Sequence, residues 1–403
     1  MSSLYSFQQE AVAFHLKHHY TLNCSEMGLG KTRMALETAR AAGLRTLVFG
    51  PAFLESTWDK EGLEVGKEFA YIPYSMAHKL KAKDFAEYRF IIADECHYLK
   101  NPKALRTHAF YSFLKELKPD YFIGLTGTPI KNRVPDFWTL LAFCGANPQD
   151  TNGSKLTGDL THYYKFSRHF CHIESMIIRG RRVEKFKGIK EDKIPELKAL
   201  LKDKYLRFTV DKVLKELPPM TRKYIEYDLE NDDTLGDAFS EYMEGGKANI
   251  VAKTASATLK TNKTIEYVKN LQEEDCGPLV IFTDHIEPTK KISAALKGAA
   301  VITGQTPMPE RAMVVSKFQA GEIHTIVATI GSLSVGVTLH AARNVIFNDL
   351  SWSPSENAQA EKRIHRIGQE RPCVAHYIEA TPTDTYIRKT LMEKLDTINK
   401  IVV

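Results

Sequence analysis

Ser25-Glu-Met-Gly-Leu-Gly-Lys-Thr32 is the segment of this chain that most clearly indicates its fold. It follows a short apolar run, residues 20–24, and precedes a helix-like pattern at residues 32–42. Its two glycines let the backbone curl so that several N–H groups point inward, and the following helix adds its positive N-terminal end. A strand, a glycine-rich turn and a helix in this order indicate a phosphate-binding loop. Serine replaces the first glycine of G-x-x-x-x-G-K-[ST], and a tight turn without a ligand is the alternative interpretation.

The strand–helix rhythm that includes this loop extends over much of the chain. Short apolar runs alternate with helix-like patterns, which predicts mostly parallel sheets covered by helices on both faces. Residues 131–265 interrupt the rhythm, because this stretch is rich in Lys and Glu and has few strand-like runs. We therefore predict an α/β protein with two parallel-sheet lobes and helical insertions between them. The predicted strands are residues 20–24, 46–49, 90–93, 121–125, 279–282, 300–303, 325–328, 344–347 and 374–378.

The same pattern predicts where the domains begin and end. The alternating segments define the two lobes, and the Lys- and Glu-rich middle separates them. The predicted boundaries are residues 1–130 for the N-terminal lobe, 131–215 for a basic helical insertion, 216–265 for a linker and helical region, and 266–403 for the C-terminal lobe.

Composition narrows the class of protein. The chain has 403 residues, of which 43% are hydrophobic and 26% are charged, as in globular proteins. It has no run of 18 apolar residues and no secretory signal pattern at its start, so we expect an intracellular protein without a membrane partner. Its expected location is the cytoplasm, the nucleoid or nucleus, or a virus-infected host cell. The six cysteines form no C-x-x-C pair, so neither a zinc site nor a disulfide framework is indicated.

Positive charge is concentrated in one stretch. Residues 160–215 contain 15 Lys and Arg against 7 Asp and Glu, an excess of +8, whereas the net charge of the whole chain is +6. A basic face of this kind can hold phosphates and release counterions, although a solvated lysine-rich surface is the alternative. The expected nucleic-acid contacts in this stretch are Arg179, Arg181, Arg182, Lys185 and Lys187.

Two carboxylates follow the apolar run at residues 90–93. Phosphoryl transfer depends on positioning and charge neutralisation, so Asp94 is predicted to bind Mg²⁺ and Glu95 to orient or deprotonate the attacking water. In the loop, Lys31 is predicted to contact the β- and γ-phosphates, and the Thr32 hydroxyl to help hold Mg²⁺. The alternative for the paired acids is that they cap the next helix.

A pair of arginines near the end of the chain completes the candidate chemistry. Arg363 and Arg366 are three residues apart and would share one face of a helix. Arginines contributed across a cleft stabilise the charge that develops on a transferred phosphate. A solvated helix face is the alternative for this pair.

Several segments in the first half of the chain resemble the motif series of the Swi/Snf-type helicase-like ATPases of superfamily two. Leu4-Tyr-Ser-Phe-Gln8 resembles the Q motif, and Ser25 to Thr32 resembles the loop D-E-M-G-L-G-K-T of this family. Residues 48–61 resemble motif Ia, which lies against the nucleic-acid backbone. Residues 94–97, D-E-C-H, stand where the family has D-E-A-H, and Leu125-Thr-Gly-Thr-Pro129 matches motif III.

The second half resembles the same family. Residues 206–219 are similar to L-R-R-T…L-P-P, with Phe208 in place of the second arginine. Residues 329–339 resemble motif V, although Ser-Leu-Ser stands where Ala-Gly-Gly is usual. Trp352-Ser-Pro354, followed by residues 359–369, is close to W-N-P…Q-A…R-x-H-R-I-G-Q. Within the family, the compact middle region and the segments at residues 303–311 and 332–339 most resemble the annealing-helicase subgroup.

The resemblance implies two RecA-like lobes of the P-loop NTPase type, with ATP between them and DNA across them. It implies that ATP and Mg²⁺ are the cofactors and that DNA is the partner more than RNA. We expect a monomer. The residues that the resemblance assigns to ATP are Gln8, Gly28, Leu29, Gly30, Lys31 and Thr32, and those that it assigns to coupling are His97, Thr126, Gly127, Thr128 and Gln359.

The leading functional hypothesis is an ATP-dependent DNA helicase or translocase that moves on duplex or branched DNA, with a role in DNA repair or recombination. One alternative is a strand-separating helicase acting on DNA or RNA, although the sequence shows no obvious wedge hairpin. A second alternative is a nucleotide-switched nucleic-acid-binding protein without motor activity. No chromatin-reading module is expected.

Overall fold

The computed structural model describes residues 4–130, 134–145, 163–178, 181–227, 248–333 and 337–402. The chain divides into two compact units, Met1–Leu214 with Lys394–Val403, and Lys215–Glu393. We call the first unit the N lobe and the second the C lobe. Among the described residues, no helix combines the length and the apolar character that crossing a bilayer requires.

The N lobe is built on a six-stranded sheet with the order β3-β2-β4-β5-β1-β8, in which every neighbouring pair is parallel. The strands β1, β2 and β4 are buried along their whole length, as expected for parallel strands that are covered on both faces. The strands are β1 (Tyr20–Asn23), β2 (Thr46–Gly50), β3 (Ala70–Pro73), β4 (Phe90–Ala93), β5 (Tyr121–Leu125) and β8 (Tyr205–Leu206).

Helices pack on this sheet around a core that is rich in phenylalanine. Phe49 and Phe143 both make edge-to-face contacts with Phe110, with ring centroids 5.1 and 5.2 Å apart. The helices of this part of the chain are α1 (Ser6–His18), α2 (Lys31–Ala42), α3 (Glu55–Val65), α4 (Leu105–Leu117), α5 (Pro135–Cys144), α6 (Tyr163–Phe170), α7 (Ile194–Leu201) and α8 (Val210–Val213).

The C lobe repeats the plan with a second six-stranded sheet, in the order β11-β12-β10-β13-β14-β9, again with parallel pairs throughout. Its strands are β9 (Met220–Glu226), β10 (Leu279–Thr283), β11 (Ala300–Ile302), β12 (Thr325–Thr329), β13 (Asn344–Phe347) and β14 (Cys373–Glu379). The remaining helices are α9 (Ala248–Leu259), α10 (Thr261–Glu273), α11 (Ile286–Ala295), α12 (Met308–Gln319), α13 (Pro354–Glu361) and α14 (Pro382–Val402).

Two parallel-sheet lobes with helices confirm the predicted fold class, and each of the nine predicted strands is present with bounds that differ by one residue at most. The middle of the chain differs from its prediction. Strands β6 (Cys171–Ile178) and β7 (Arg181–Ile189) form an antiparallel pair where a helical insertion was expected, and β9 joins the C-lobe sheet where a linker was expected.

The physical reason for missing β9 is that an exposed edge strand needs no regular apolar period. β9 lies at the edge of its sheet and is exposed over most of its length, and its apolar residues do not alternate regularly with polar ones. What holds β9 in the sheet is backbone pairing with β14 over all seven residues. Such pairing depends on a partner that is remote in sequence and leaves no local hydrophobic period.

Candidate nucleotide site

The loop between β1 and α2 has the backbone that its glycines were expected to allow. Gly28 and Gly30 have φ values of 82° and 76°, and Gly30 is the residue that precedes the first turn of α2. A Cβ atom at Gly30 would lie 2.7 Å from the Nε2 atom of Gln8. Both the left-handed backbone and this close approach therefore require glycine at position 30.

Gln8 is buried against the loop. Its Nε2 atom donates a hydrogen bond to the Leu29 carbonyl at 3.1 Å, and its Oε1 atom accepts one from the Tyr5 backbone N–H at 3.1 Å. The structure thus brings Gln8 and the glycine-rich loop together, although they are some twenty residues apart in sequence.

Ser25 replaces the first glycine of the motif without backbone strain, because its φ is not in the left-handed region. Its side chain is fully buried and accepts a hydrogen bond from the Phe208 N–H at 3.2 Å. Its own N–H donates to Asn23 Oδ1 at 3.2 Å. A hydroxyl therefore fits this position, since it pairs with a buried N–H that a glycine would leave to other partners.

The segment that follows β8 supports the loop from behind. The Arg207 guanidinium donates to the Cys24 carbonyl at 3.2 Å, and the Glu26 N–H donates to the Phe208 carbonyl at 2.9 Å. The Glu26 carboxylate accepts the Val210 N–H at 3.1 Å. Arg207 is a residue beside the loop that the sequence did not single out; the resemblance to L-R-R-T was the signal that could have found it.

Lys31 is half-buried at the start of α2. Its ammonium donates to the carbonyl oxygens of Ser25 and Glu26, at 2.9 and 3.1 Å. Burial lowers the pKa of Lys31, while the nearby Glu95 and Asp94 carboxylates act in the opposite direction. A Cβ atom at Gly127 would lie 3.5 Å from Lys31 Nζ, so motif III lies next to this ammonium.

Asp94 is buried at the carboxyl end of β4, where both of its carboxylate oxygens are held. Oδ2 accepts a hydrogen bond from the Trp58 indole at 2.7 Å, and Oδ1 accepts one from the Glu95 N–H at 2.9 Å. Burial and the adjacent Glu95 charge raise the pKa of Asp94 to about 7, against the hydrogen bonds and Lys31, which lower it.

Trp58 contributes to the site in a way that the sequence did not indicate. Motif Ia was expected to lie against the nucleic-acid backbone, but the Trp58 side chain is only 1% exposed and its indole binds Asp94. A polar N–H in an otherwise apolar ring explains a tryptophan at this position, because a buried carboxylate needs a donor.

Glu95 has a backbone that is unusual for its residue type. Its φ and ψ angles are both 46°, in the left-handed region that non-glycine residues seldom adopt. Conformations of this kind cost free energy and cluster at functional sites. Here the left-handed residue follows the end of β4, next to Asp94.

His97 links the acid pair to motif III. Its Nδ1 atom lies 3.0 Å from Glu95 Oε2 and 3.1 Å from Thr126 Oγ1. Thr126 Oγ1 also accepts the Thr128 N–H at 3.1 Å, and the Thr126 N–H donates to the Asn23 carbonyl. The histidine therefore bridges the residues that follow β4 and β5.

One polar atom next to this network fits a polar ligand. Within the part of the chain that the structure describes, Thr128 Oγ1 is buried and has no hydrogen-bond partner. This hydroxyl and the Lys31 ammonium are groups that can bind a phosphate. Thr32 is half-buried in the first turn of α2, directly after the loop.

Arg363 and Arg366 belong to the C lobe, where they form a separate group. They were expected on a helix, but α13 ends at Glu361 and both arginines lie in the turns that follow. They are nevertheless together, because both donate to the Val337 carbonyl, at 3.0 and 3.4 Å. A shared acceptor, and not helical spacing, aligns them. Gln359 is buried in α13.

The predicted basic contacts lie in and beside β7. Arg179 is outside the described residues. The other four are residues of β7, and their side chains are outside what the structure describes: Arg181, Arg182, Lys185 and Lys187.

Comparisons with known proteins show which protein family this chain resembles. The family model for the SNF2-related domain matches residues 69–278, and that for the helicase conserved C-terminal domain matches residues 259–368. A solved structure, the SWI2/SNF2 ATPase core of Sulfolobus solfataricus in complex with dsDNA, aligns with a TM-score of 0.45 and 21% identity, over 100% of this chain and 97% of that chain.

Two curated relatives are also similar along nearly the whole chain. One is the SWI/SNF-related matrix-associated actin-dependent regulator of chromatin subfamily A-like protein 1 of Drosophila melanogaster, 28% identical over 99% of this chain and 56% of the relative. Another is the DNA annealing helicase and endonuclease ZRANB3 of Mus musculus, 24% identical over 95% of this chain and 39% of the relative. The chain thus spans about half the length of such relatives, or less. Because the SNF2-related model covers more than half of the chain, the predicted family is confirmed and this protein belongs to the SNF2-related family, as a Snf2-type helicase of superfamily two.

Proposed function

We propose that this protein is a DNA-dependent ATPase that uses ATP to move on duplex or branched DNA. The observation that carries the proposal is the cluster in the N lobe, where Lys31, Asp94 and Glu95 converge and His97 joins Glu95 to Thr126. Residues of this kind at the carboxyl ends of parallel strands suit phosphoryl transfer.

Each residue has a distinct task in this proposal. The curled loop and the Lys31 ammonium bind the β- and γ-phosphates of ATP, and Gln8 reads the adenine. Thr32 and Asp94 hold Mg²⁺, which supplies charge neutralisation when it is bound. Trp58 orients the Asp94 carboxylate towards that task. Glu95 orients the attacking water and accepts its proton.

The link through His97 supports the proposed coupling. A change in the protonation or position of Glu95 during hydrolysis acts directly on the imidazole, which lies 3.0 Å away, and through it on Thr126. Gly127, Thr128 and, in the C lobe, Gln359 complete the proposed coupling residues. Arg363 and Arg366 stabilise the charge that develops on the γ-phosphate.

DNA as the partner rests on the relatives and on charge. The murine relative is named as a DNA annealing helicase, and the basic stretch around β7 suits phosphates. We propose that Arg179, Arg181, Arg182, Lys185 and Lys187 contact the DNA backbone. We further propose that the motor acts inside cells as a monomer and remodels forks or junctions in repair or recombination.

The test is the ATPase rate measured without nucleic acid and with single-stranded DNA, duplex, fork, four-way junction and RNA. We expect duplex and branched DNA to stimulate turnover most, and RNA least. Displacement of a third strand from a triplex, without unwinding of a tailed duplex, is the expected signature of translocation. No turnover with any nucleic acid would overturn the motor, and stimulation by RNA alone would overturn the DNA assignment.

A further inference from the structure

The antiparallel ribbon formed by β6 and β7 is the feature that the proposed ATPase chemistry does not use. It lies in the N lobe, whose main sheet is entirely parallel. In β6, six consecutive residues, 172–177, are exposed. Because successive side chains of a strand point to opposite faces, both faces of this part of the ribbon are open to solvent.

The exposed part of β6 carries large aliphatic side chains. Ile173, Met176 and Ile177 are 41%, 37% and 79% exposed. Single exposed apolar residues are normal on a protein surface, but three within five residues on a two-stranded ribbon are a concentration that indicates contact with another molecule.

The base of the ribbon is anchored in the N-lobe core. Cys171, Phe186 and Ile189 are buried and belong to the same hydrophobic cluster as Phe170 of α6. Arg168 makes a two-pronged pair with Glu184 of β7, at 3.1 and 3.2 Å. The base of the ribbon is packed in the core, and residues 172–177 of β6 are exposed. Such a ribbon can transmit force from the N lobe to a molecule that contacts these exposed residues.

Charge identifies the chemistry of the contact. By sequence, β7 has four Lys or Arg residues and one Glu, and the backbone register places Ile177 opposite Arg182 and Glu174 opposite Lys185. Near the base, Tyr164 is exposed beside Phe186, with ring centroids 6.4 Å apart, and offers a face on which a base can stack. Aliphatic residues among basic positions suit a polyanion with an apolar interior, which is a nucleic acid, more than an apolar protein groove.

We propose that this ribbon is a wedge for branched DNA, with Ile177 on one face and Met176 on the other, each unstacking the base pair that meets it where a duplex branches. Ile and Met side chains act as such wedges in other proteins, where they unstack a base step and kink the duplex. The proposal rests on the proposed DNA motor and specifies its substrate as a branch point.

The experiment uses the full chain with the double substitution Met176→Ser and Ile177→Ser. Both side chains are exposed, so the variant should fold with an unchanged melting temperature. We expect its affinity for a four-way junction to fall about tenfold, with duplex affinity kept within about twofold, because only the unstacking contact is lost. The fluorescence rise of 2-aminopurine at the branch should disappear, whereas duplex-stimulated ATPase should stay unchanged.

The matched control is Leu63→Ser with Leu105→Ser, which removes two other aliphatic side chains of the N lobe that are 85% and 70% exposed. This control should keep both the junction affinity and the 2-aminopurine signal. The wedge is overturned if the ribbon variant keeps its junction affinity and signal, if it loses duplex and junction affinity equally, or if it changes only the oligomeric state. A wild-type protein whose ATPase no DNA stimulates would instead overturn the motor itself, so the two failures are distinguishable.

Discussion

The N and C lobes have the same six-stranded parallel sheet but use buried charge differently. In the N lobe, the Lys31 ammonium binds two backbone carbonyls in a glycine-rich loop. In the C lobe, the fully buried Lys260 donates to the Asp384 carboxylate at 2.5 Å and to the Ile378 carbonyl at 3.0 Å. Lys260 is paired directly with a carboxylate, whereas the Lys31 ammonium bonds only carbonyl oxygens and has the Glu95 and Asp94 carboxylates nearby, an arrangement that fits the proposed phosphate contact. The shared sheet therefore does not determine the chemistry; the loops at its edge do.

Replacing each lysine with alanine is the strongest test of the difference between Lys31 and Lys260. Lys31→Ala should lower ATP turnover below detection and shift the melting temperature by no more than about 3 °C. Lys260→Ala should instead cost about 3–5 kcal/mol of stability, because it leaves the Asp384 carboxylate buried without its cation. Thermal unfolding and steady-state ATPase of both variants check this. Equal effects of the two changes on stability would refute the contrast.

The arginine pair tests whether the C lobe also contributes to the chemistry. Arg366→Ala should lower the DNA-stimulated turnover about 10³-fold, at the lower end of the range for arginine fingers, with little effect on ATP affinity. The matched control is Arg371→Ala, which removes an exposed C-lobe arginine that also binds a backbone carbonyl. Similar turnover of the two variants would show that Arg366 is only structural.

Trp58 tests how the N lobe positions the carboxylate of Asp94, for which we propose metal binding. Trp58→Phe keeps an aromatic ring but removes the donor to Asp94 Oδ2, and turnover should fall about tenfold, the value of one hydrogen bond to a charged group. The Mg²⁺ concentration for half-maximal turnover should rise, which a merely structural change would not cause. Trp138→Phe, at another fully buried tryptophan of the same lobe, is the control. If both variants keep the wild-type Mg²⁺ dependence, the positioning role is wrong.

The smallest expected effect concerns acid stability. Burial lowers the pKa of His15 in the N lobe to about 3 and that of His376 in the C lobe to about 4. The unfolded chain binds these protons near pH 6.5, whereas the folded chain binds them only at a much lower pH. Each histidine therefore contributes stability above pH 6.5 that is lost as the pH falls below that value, by about 2 kcal/mol at pH 5. The raised pKa of Asp94 acts in the opposite direction, so the difference from the wild type is the useful quantity.

His15→Gln and His376→Gln, compared with the wild type in urea at pH 7 and pH 5, measure this difference. Each variant should lose less stability than the wild type on acidification, by a similar amount in the two lobes. An unchanged pH dependence in one lobe would mean that its histidine is not the titrating group.

Sequence reasoning identified the site best where the chemistry is local. Gly30, Lys31, Asp94 and Glu95 each follow or precede a buried strand, and an apolar run bounded by a turn is visible in one dimension. It was wrong about the helical placement of Arg363 and Arg366, because a helix end depends on tertiary contacts as much as on spacing. Which residues contact ATP, Mg²⁺ and DNA stays a prediction.

Sequence patterns alone indicated the family, nine of the strands and the glycine-rich loop, because strand burial and left-handed turns act through neighbouring residues and leave a local pattern. The folded chain was needed to reveal that Trp58 binds Asp94, that Arg207 supports the loop from far along the chain, and that β6 and β7 form a ribbon in which β6 is exposed. Those contacts join segments that are remote in sequence. Their geometry depends on how the sheet brings loop ends together, which no local spacing records.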